Sequence, residues 1–560
     1  MSAGETTFAS DELSTPSTED LSSQPNPEKN KSPDGSLQAL QSGGFEVGEE
    51  EAVYPGTLTR SLLILGISCS AFLVALDRTI VASAIPHITD DFKSPSDAGW
   101  YGSAYLLTSC AFQPTFGRVF TNFNVRWSFL AALGVFELGS LLCGAAPNSD
   151  TLIVGRAIAG IGCAGVFAGC LLIITLCIPL AKRPVYMAGV GGIFGLGSIA
   201  GPVIGGAFTE NISWRWCFYI NLPIGAVTTL IVLFFFHPAQ KTNAGTFLER
   251  IVKLDLVGNF LLISAIVMLL LALQWGGDEY AWNSATTIGL IVGAVIELCI
   301  FIAWQIYRGP EALVRPEIVS QRTVAASLVF GFFLSGALLV HTYYIPYWFQ
   351  AIENASAEKS GINMIPYLLS NFVFSIIAGI TVQRTGYVLP AAILSPLVAV
   401  VGSGLIITFS ETISTARWAG YTVLAGAGVG IGMQQGVVAV QSVLPRDSVA
   451  IGTALVLFVQ SLSGAIFVSV GNSILRNELS MGLDTAKLPG VDIPKVLSAG
   501  ATAVRQLVPD AELGAFLSIY NSALQKVFIV AVPLAGVSLL GAVFIEWKSI
   551  KDKEIMIGGE

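Results

Sequence analysis

Residues 197–206 read Gly-Ser-Ile-Ala-Gly-Pro-Val-Ile-Gly-Gly within an otherwise apolar run. Small residues recur there at four-residue spacing, which lets two membrane helices bring their backbones into close contact: Gly197, Gly201 and Gly205. Pro202 removes a backbone donor and kinks the helix that contains it. The stretch predicts a membrane helix packed closely on a neighbour. It is either a packing seam alone or a packed hinge that seals one face of a bundle against leaks.

Around this stretch, the composition predicts that lipid is the solvent for most of the chain. Of the 560 residues, 53% are hydrophobic and only 12% are charged, whereas soluble proteins carry about 25% charged residues. A membrane span needs roughly 20 apolar residues. About fourteen such runs occur, near 61–81, 101–118, 128–146, 152–173, 186–207, 218–236, 254–274, 286–306, 323–345, 361–382, 390–409, 418–437, 450–471 and 525–546.

The net charge of -9 belongs to the N-terminal segment. Residues 1–56 hold eleven acidic residues against two lysines and are rich in Ser, Thr, Pro and Gly. Such a segment cannot bury enough apolar surface to offset the entropy of ordering, so we expect a disordered, acidic cytoplasmic tail. It lacks the pattern of a signal peptide. The tail is either regulatory or an inert solvated segment.

The distribution of Lys and Arg predicts the orientation of the chain. With the N-terminus in the cytoplasm, sixteen basic residues flank the inner ends of the spans and four lie in the short outer loops. This bias places both termini in the cytoplasm. Two Asn-x-Ser sequons then fall in outer loops, so Asn211 and Asn354 are candidate glycosylation sites.

A faint internal repeat predicts how the spans are grouped. The cytoplasmic turn at 117–124 has a counterpart at 379–386, each one span into a block of six. Parallel repeats of this kind occur in transporters. The predicted segments are an N-terminal six-helix half at 57–237, a linker with two extra spans at 238–322, a C-terminal six-helix half at 323–548 and a tail at 549–560.

Charged residues inside the predicted spans are the candidates for proton coupling and gating. They are Asp77 and Arg78 in the first span, Glu137 in the third, Arg156 in the fourth and Glu297 in the eighth. Charges within a membrane helix are costly and face a cavity or each other. A transport cycle driven by protons needs a carboxyl group of this kind to bind and release one.

Each of these candidates has a second interpretation. Asp77 and Arg78 are either a pair that reaches the outer interface or part of a gate. Arg156 forms either a structural ion pair or a coupling element. Glu137 either carries the proton or is a neutral, hydrogen-bonded core residue. Glu297 lies in the extra spans, away from the expected cavity, which argues against it.

Several function classes find no support in the sequence. No GxxxxGK[ST] phosphate loop occurs, and a GxGxxG match at 160–165 lies inside a membrane span rather than after a strand. The eight cysteines lack the spacing of a metal site and are interpreted as packing residues. We therefore expect neither an enzyme nor a nucleic-acid-binding protein, and no cofactor.

The pattern in the fifth span resembles the antiporter motif of the major facilitator superfamily, with Gly197, Gly201, Pro202, Gly205 and Gly206 at its fixed positions. The stretch 76–81, Arg156 and the turn at 117–126 occur at that family's places. Residues 214–225 follow as in its fourteen-span drug:proton antiporters. Stretches at 273–284, 343–350 and 428–445 resemble the fungal toxin and secondary-metabolite efflux pumps of that group, of the HC-toxin and aflatoxin type.

The resemblance covers residues 57–548, with one departure. The family's cytoplasmic turn reads G-x-x-x-D-R-x-G-R-[RK]. Here Gly117, Arg118 and Arg126 are present, but Thr121 stands in the place of the Asp and Asn124 in that of the second Gly. Thr121 cannot carry an anion, so the two arginines must find other partners.

The resemblance implies an all-α membrane protein of the major facilitator fold, with two six-helix halves and two extra central spans. It implies export of a small organic molecule from the cell in exchange for protons, driven by the proton gradient. We expect a monomer in the cell membrane, with the vacuolar membrane as the alternative site. One rival function is import within the same superfamily, as by a siderophore–proton symporter. The other is that of a non-transporting membrane receptor or enzyme, which no nucleophile–base set, metal cluster or large soluble domain in the sequence supports.

Overall fold

A computed structural model describes residues 55–94, 97–238, 246–277, 279–498 and 504–551. The predicted tail at 1–56 lies outside the described residues except for its last two, and the predicted tail at 549–560 except for its first three. The described residues form helices, with no β-strand among them. The prediction of an all-α fold is confirmed.

Fourteen long helices account for most of the chain and coincide with the fourteen predicted spans. We number them in chain order as α1 (Thr57–Phe92), α2 (Ala98–Asn122), α3 (Val125–Gly144), α4 (Ser149–Cys177), α5 (Arg183–Asn211), α6 (Asn221–Phe235), α7 (Leu256–Trp275), α8 (Ala285–Arg308), α9 (Arg322–Ala351), α10 (Ile365–Thr385), α11 (Leu389–Ile406), α12 (Thr415–Gly432), α13 (Val449–Ala486) and α14 (Leu513–Phe544).

Thirteen of these helices are long and apolar enough to cross a membrane, as judged within the described residues, with α6 counted together with the short helix Trp216–Tyr219 before it. The exception is α2, whose sequence is more polar. Its 25 residues nevertheless span about 37 Å at 1.5 Å per residue, which exceeds a hydrocarbon core of about 30 Å. The chain is a multi-pass membrane protein. We call the end at which α1 begins and α2 ends the inner end, and the opposite one the outer end.

Several helices are longer than predicted, α1 and α13 by the most residues. The apolar run at 61–81 lies within the 36 residues of α1, and the run at 450–471 within the 38 residues of α13. A hydropathy pattern detects only the part of a helix that lipid surrounds. The polar ends of these helices continue past it because helical hydrogen bonds satisfy the backbone in water as well.

Polar side chains cap several helices. Asn124 caps α3 by accepting a hydrogen bond from the Arg126 backbone N–H at 3.0 Å. Asn148 caps α4 by accepting from Thr151 N–H at 2.9 Å. Such caps satisfy donors that the first helical turn leaves without partners. Asn124, which stands in the place of the second glycine of the cytoplasmic turn motif, thus caps the start of α3.

The helix contacts repeat with an offset of eight helices. Three pairs that pack extensively within α1–α6 are α1 with α5, α3 with α4 and α2 with α4; the counterparts are α9 with α13, α11 with α12 and α10 with α12. The two groups meet where α5 packs on α10 and where α2 packs on α13. A division into halves at 57–237 and 323–548 would produce this pattern, and the division itself stays a proposal.

Both seams between the groups are tight at the inner end. A Cβ atom at Gly117 of α2 would lie 2.8 Å from the Ala454 Cβ atom of α13. One at Gly379 of α10 would lie 2.9 Å from the Pro184 carbonyl oxygen of α5. The backbones approach as closely there as glycine allows, so the inner end is closed in this structure.

Candidate functional site

Asp77 of α1 and Arg156 of α4 form an ion pair between the helices. The Arg156 Nη1 atom donates to Asp77 Oδ2 at 2.7 Å. The side chain of Asp77 is 0% exposed and that of Arg156 is 1% exposed. A buried pair of this kind repays its desolvation only when further hydrogen bonds satisfy the remaining polar atoms. Both interpretations of Arg156 require a partner for its charge, and Asp77 is that partner.

Arg156 is held by two further contacts. Its Nε atom donates to the Tyr101 carbonyl oxygen at 2.8 Å, and its guanidinium lies 4.3 Å from the ring centroid of Tyr105. The negative face of an aromatic ring attracts a cation, most strongly away from water. The guanidinium would therefore keep a favourable environment during a brief loss of the Asp77 charge.

The second oxygen of Asp77 extends the network to α3 and α6. Asn221 Nδ2 donates to Asp77 Oδ1 at 2.8 Å and to Ser140 Oγ at 3.1 Å. All three residues are buried. Sequence reasoning did not single out Asn221 or Ser140. The available signal was an asparagine at the start of an apolar span, within the stretch 214–225.

Glu137 lies one helical turn from Ser140 on α3 and faces α6. A Cβ atom at Gly225 would lie 1.7 Å from Glu137 Oε1, so the carboxyl group rests on bare backbone. Both carboxyl oxygens are buried and have no hydrogen-bond partner among the described residues. An ionised carboxylate is costly in such a place. The interpretation of Glu137 as a hydrogen-bonded core residue does not fit this geometry.

Glu137 and Asp77 are close enough to interact electrostatically. Asn221 and Gly225, one turn apart on α6, contact Asp77 and Glu137 respectively. Two carboxyl groups on neighbouring helices thus flank the same stretch of α6. Together with Arg156, Asn221 and Ser140 they form what we call the acid cluster.

Arg78 takes a different direction from its neighbour Asp77. Its side chain is exposed, and it has no hydrogen-bond or ion-pair partner among the described residues. Asp77 faces α4 and α6, and Thr79 faces Gly201 of α5. At 100° per residue, Arg78 therefore lies on the remaining side of α1. Arg78 is therefore not paired with Asp77, although such a pair was one of the two interpretations of these residues.

The glycines of the fifth span lie along α1. Cβ atoms at Gly197, Gly201 and Gly205 would approach α1 atoms to 2.7, 2.0 and 2.3 Å, at Phe72, Thr79 and Ser83 respectively. A Cβ atom at Gly206 would meet nothing within 4 Å, and α5 continues through Pro202. The α1–α5 seam runs past the turn that carries Asp77. Whether it also acts as a hinge stays a prediction.

The arginines of the inner turn bind carbonyl oxygens. Arg118 donates to the carbonyl oxygen of Ala312, and Arg126 to that of Leu233. Thr121 donates to the Gly117 carbonyl oxygen at 2.9 Å. The other partners expected for the two arginines are thus backbone groups, one of them in the linker between the helix groups.

The remaining sequence candidates lie apart from the acid cluster. Glu297 of α8 accepts a hydrogen bond from Ser264 of α7 at 2.7 Å. Asn211 ends α5 at the outer end, and Asn354 follows α9 with a φ of 55°. Both asparagines are exposed. Their side chains are accessible to a glycosylating enzyme, and their modification stays a prediction.

Comparison with known proteins identifies the family of proteins that this chain resembles. The model of the Major Facilitator Superfamily matches residues 67–468. The MFS-type efflux pump MFS1 of Arthroderma benhamiae is 49% identical over 500 residues, which cover 89% of this chain and 93% of that pump. The efflux pump aflT of Aspergillus parasiticus is 46% identical, over 88% of this chain and 96% of its own length.

Solved structures show the same fold at low sequence identity. The proton:xylose symporter XylE superposes with a TM-score of 0.56 at 13% identity, over 90% of this chain and 100% of its own. The human organic anion transporter MFSD10 gives a TM-score of 0.55 at 13% identity, over 87% and 99%. At such identities the likeness concerns the fold alone.

Proposed function

This chain belongs to the Major Facilitator Superfamily, and we propose that it is an efflux transporter that exports a small organic molecule, a toxin or another secondary metabolite, in exchange for protons. Relatives named as efflux pumps, 46–49% identical over most of both chains, support export. The acid cluster supports proton exchange. It is the single structural observation on which the coupling depends.

The coupling follows from the two carboxyl groups. A proton that binds Asp77 at Oδ2 removes the negative charge facing Arg156 and weakens the 2.7 Å pair. The pair joins α1 to α4, and α1 also packs on α5. Protonation therefore changes the free energy of the packing of α1 against α4 and α5. A ligand, here the proton, shifts a conformational equilibrium by its differential affinity for the two states.

Glu137 is the second proton carrier that we propose. In this closed arrangement its carboxyl group has no hydrogen-bond partner among the described residues, so the protonated form is the one that the site accommodates. If a rearrangement within the first helix group admits water between α3 and α6, the carboxyl group can release its proton there. Export of one substrate molecule would then accompany entry of a proton through the acid cluster.

We also propose that the chain lies in the cell membrane with both termini in the cytoplasm. It acts there as a monomer. The Lys and Arg bias supports this orientation. The vacuolar membrane is the alternative, and export into a vacuole would use the same orientation. Organic substrates of unlike chemistry would fit the same coupling, since no residue of the acid cluster needs to touch them.

The test compares cells that make this chain with cells in which its gene is deleted. Untargeted mass spectrometry measures organic compounds inside the cells and in the medium. Export predicts that deletion raises at least one compound inside and lowers it outside. Import, as by a siderophore symporter, predicts the reverse. Unchanged levels of every compound on both sides would contradict transport altogether.

A further inference from the structure

Asp255 makes more hydrogen bonds than a helix cap requires. It precedes α7, is 2% exposed, and has a φ of 52°, a region sparsely populated by residues other than glycine. As a cap it accepts from the Gly258 N–H at 3.0 Å. It also accepts from Trp304 Nε1 at 2.8 Å, Gln305 Nε2 at 3.2 Å and Leu313 N–H at 2.9 Å. The last three donors lie beyond α7.

These bonds fix the inner linker, which we define as residues 309–315 between α8 and the short helix Pro316–Val319. Leu313 N–H binds Asp255, and the next residue, Val314, donates its N–H to Gln305 at 2.9 Å. The linker would otherwise be a connecting segment with few constraints. Asp255 thereby sets which way the carbonyl groups of the linker point.

One side of the inner linker binds α2. Arg118 donates to the Ala312 carbonyl oxygen and, at 3.5 Å, to that of Pro310. Two further bonds tie α2 to the chain around Asp255. Thr115 donates to Asn259 of α7, and Asn122 Nδ2 donates to the Lys253 carbonyl oxygen at 3.4 Å.

The other side of the inner linker reaches the second helix group. Arg315 Nη1 lies 3.5 Å from Ser448 Oγ, and Ser448 immediately precedes α13. The linker thus spans the inner seam at which Gly117 of α2 packs on Ala454 of α13. Opening the inner end would separate α2 from α13 and must break the contact on one side of the linker.

The charges around this seam are also arranged about Asp255. Arg118 is 3% exposed and interacts electrostatically with Arg315, which repels it, and with Asp255, which attracts it. Burial disfavours the charged form of Asp255, but the hydrogen bonds, from Trp304 foremost, outweigh this effect and lower the pKa of its carboxyl group. The lowered pKa favours the anionic form of Asp255, which attracts the buried Arg118.

We propose that Asp255 is a positioning residue that anchors the inner linker across the α2–α13 seam and so holds the inner gate closed. It supplies the anion that the inner turn lacks at Thr121. The proposal rests on the alternating-access function above, because only a transporter that opens inward has an inner gate to hold. The hydrogen bonds of Asp255 do not involve the acid cluster, and Asp255 acts through Leu313 and Arg118.

The test measures access to the seam in the full chain purified in detergent. Ala454→Cys, at a position that is 1% exposed, is labelled with a methanethiosulfonate reagent, and mass spectrometry of the peptide that contains residue 454 gives the rate. We expect Asp255→Asn to raise that rate about tenfold, the effect of one charged hydrogen bond. Trp304→Phe, which keeps the charge and removes one bond, should raise it by a smaller factor.

Two controls separate anchoring from other effects. Glu311→Gln removes a negative charge from the same linker, where Glu311 pairs with Arg308 at 3.1 Å and also attracts Arg118, and should raise the rate by a smaller factor than Asp255→Asn. Ala146→Cys, a buried site at the outer end, should not become more reactive in Asp255→Asn. An equal increase at both reporters, or an equal effect of Glu311→Gln, would overturn the proposal.

An unchanged rate in folded Asp255→Asn would also overturn it. If Asp255→Asn fails to fold, Trp304→Phe decides, and no change in its rate refutes the anchoring role. Because labelling needs no substrate, its outcome is independent of the metabolite test above. A seam that opens as expected in a chain that moves no compound would refute the transport function and leave the contact network in place.

Discussion

Gly117 of α2 and Gly379 of α10 make equivalent contacts on the two inner seams between the helix groups. Each lies where a side chain would enter the opposite helix, at 2.8 Å from the Cβ atom of Ala454 in one case and 2.9 Å from the carbonyl oxygen of Pro184 in the other. The same residue type thus closes both seams, at matching positions in the two blocks of six spans.

The first prediction concerns these seams. Gly117→Val and Gly379→Val should each lower the export rate by tenfold or more, because the added methyl groups prevent the inner end from closing. Gly134→Val on α3 is the matched control, since a Cβ atom there meets nothing within 4 Å. The measurement is the outward rate of the compound found by the deletion test. Full activity of Gly379→Val would show that this seam need not close.

The second prediction concerns the buried ion pair. Asp77→Asn leaves the Arg156 guanidinium without its anion and should lower the free energy of unfolding by about 3–5 kcal/mol. Asp77→Asn with Arg156→Gln removes both charges and should recover most of that stability without recovering export. Thermal unfolding and transport measured on the parent, on the single variants Asp77→Asn and Arg156→Gln, and on the double variant complete the cycle. Export by the stable double variant would show that the pair is structural alone.

The third prediction concerns Glu137. Glu137→Gln should fold with a stability close to that of the parent, since neither carboxyl oxygen has a hydrogen-bond partner among the described residues. It should abolish the proton flux that accompanies export, measured with a pH-sensitive dye enclosed in proteoliposomes. Glu297→Gln removes a partly buried acid of α8, which accepts a hydrogen bond from Ser264, and should retain the flux. Equal fluxes in both variants would leave Asp77 as the proton carrier.

The fourth prediction concerns the α1–α5 seam. Gly201→Ala places a methyl carbon 2.0 Å from Thr79 Oγ1 and 2.9 Å from the Ile80 backbone nitrogen. The helices must move apart, at a cost of about 1–3 kcal/mol in the free energy of unfolding. Gly206→Ala, five residues on, meets nothing within 4 Å and should be neutral. A neutral Gly201→Ala would mean that α1 and α5 are not held together at this point.

The fifth prediction concerns orientation. If the outer end faces the lumen of the secretory pathway, Asn211→Gln and Asn354→Gln should each remove one glycan from chain expressed in a eukaryotic cell. Each loss appears as a decrease in apparent mass on a gel, and treatment with an endoglycosidase removes the difference. Asn30→Gln, in a sequon on the predicted cytoplasmic side, should change nothing. A glycan on Asn30 would reverse the predicted orientation.

Local pattern was enough to predict the helices and the glycine seam. Apolar runs of about 20 residues and the four-residue spacing of Gly197, Gly201 and Gly205 are properties of one segment each. The need of Arg156 for a partner also followed from its place in a membrane span. Which acid would pair with it did not, because Asp77 and Arg156 are 79 residues apart in the chain.

The parts that escaped prediction depend on contacts between distant segments. Asn221 and Asp77 are 144 residues apart, and Arg118 and Ala312 are 194 apart. Nothing in the local sequence of an asparagine at a helix start, or of a connecting loop, records such a contact. Asp255 has the sequence pattern of an ordinary helix cap, and its three further bonds exist only once α7, α8 and the inner linker have assembled.

Through the inner linker and its anchor, the other twelve helices depend structurally on the two additional ones. A shortened chain that joined α6 directly to α9 would lose the carbonyl groups that solvate Arg118 and the amide that binds Thr115. It would carry an arginine with no acceptor at a seam that has to shut in every cycle. The two additional helices are thus a structural dependency of the bundle, and deleting them would produce an inactive transporter rather than a smaller one.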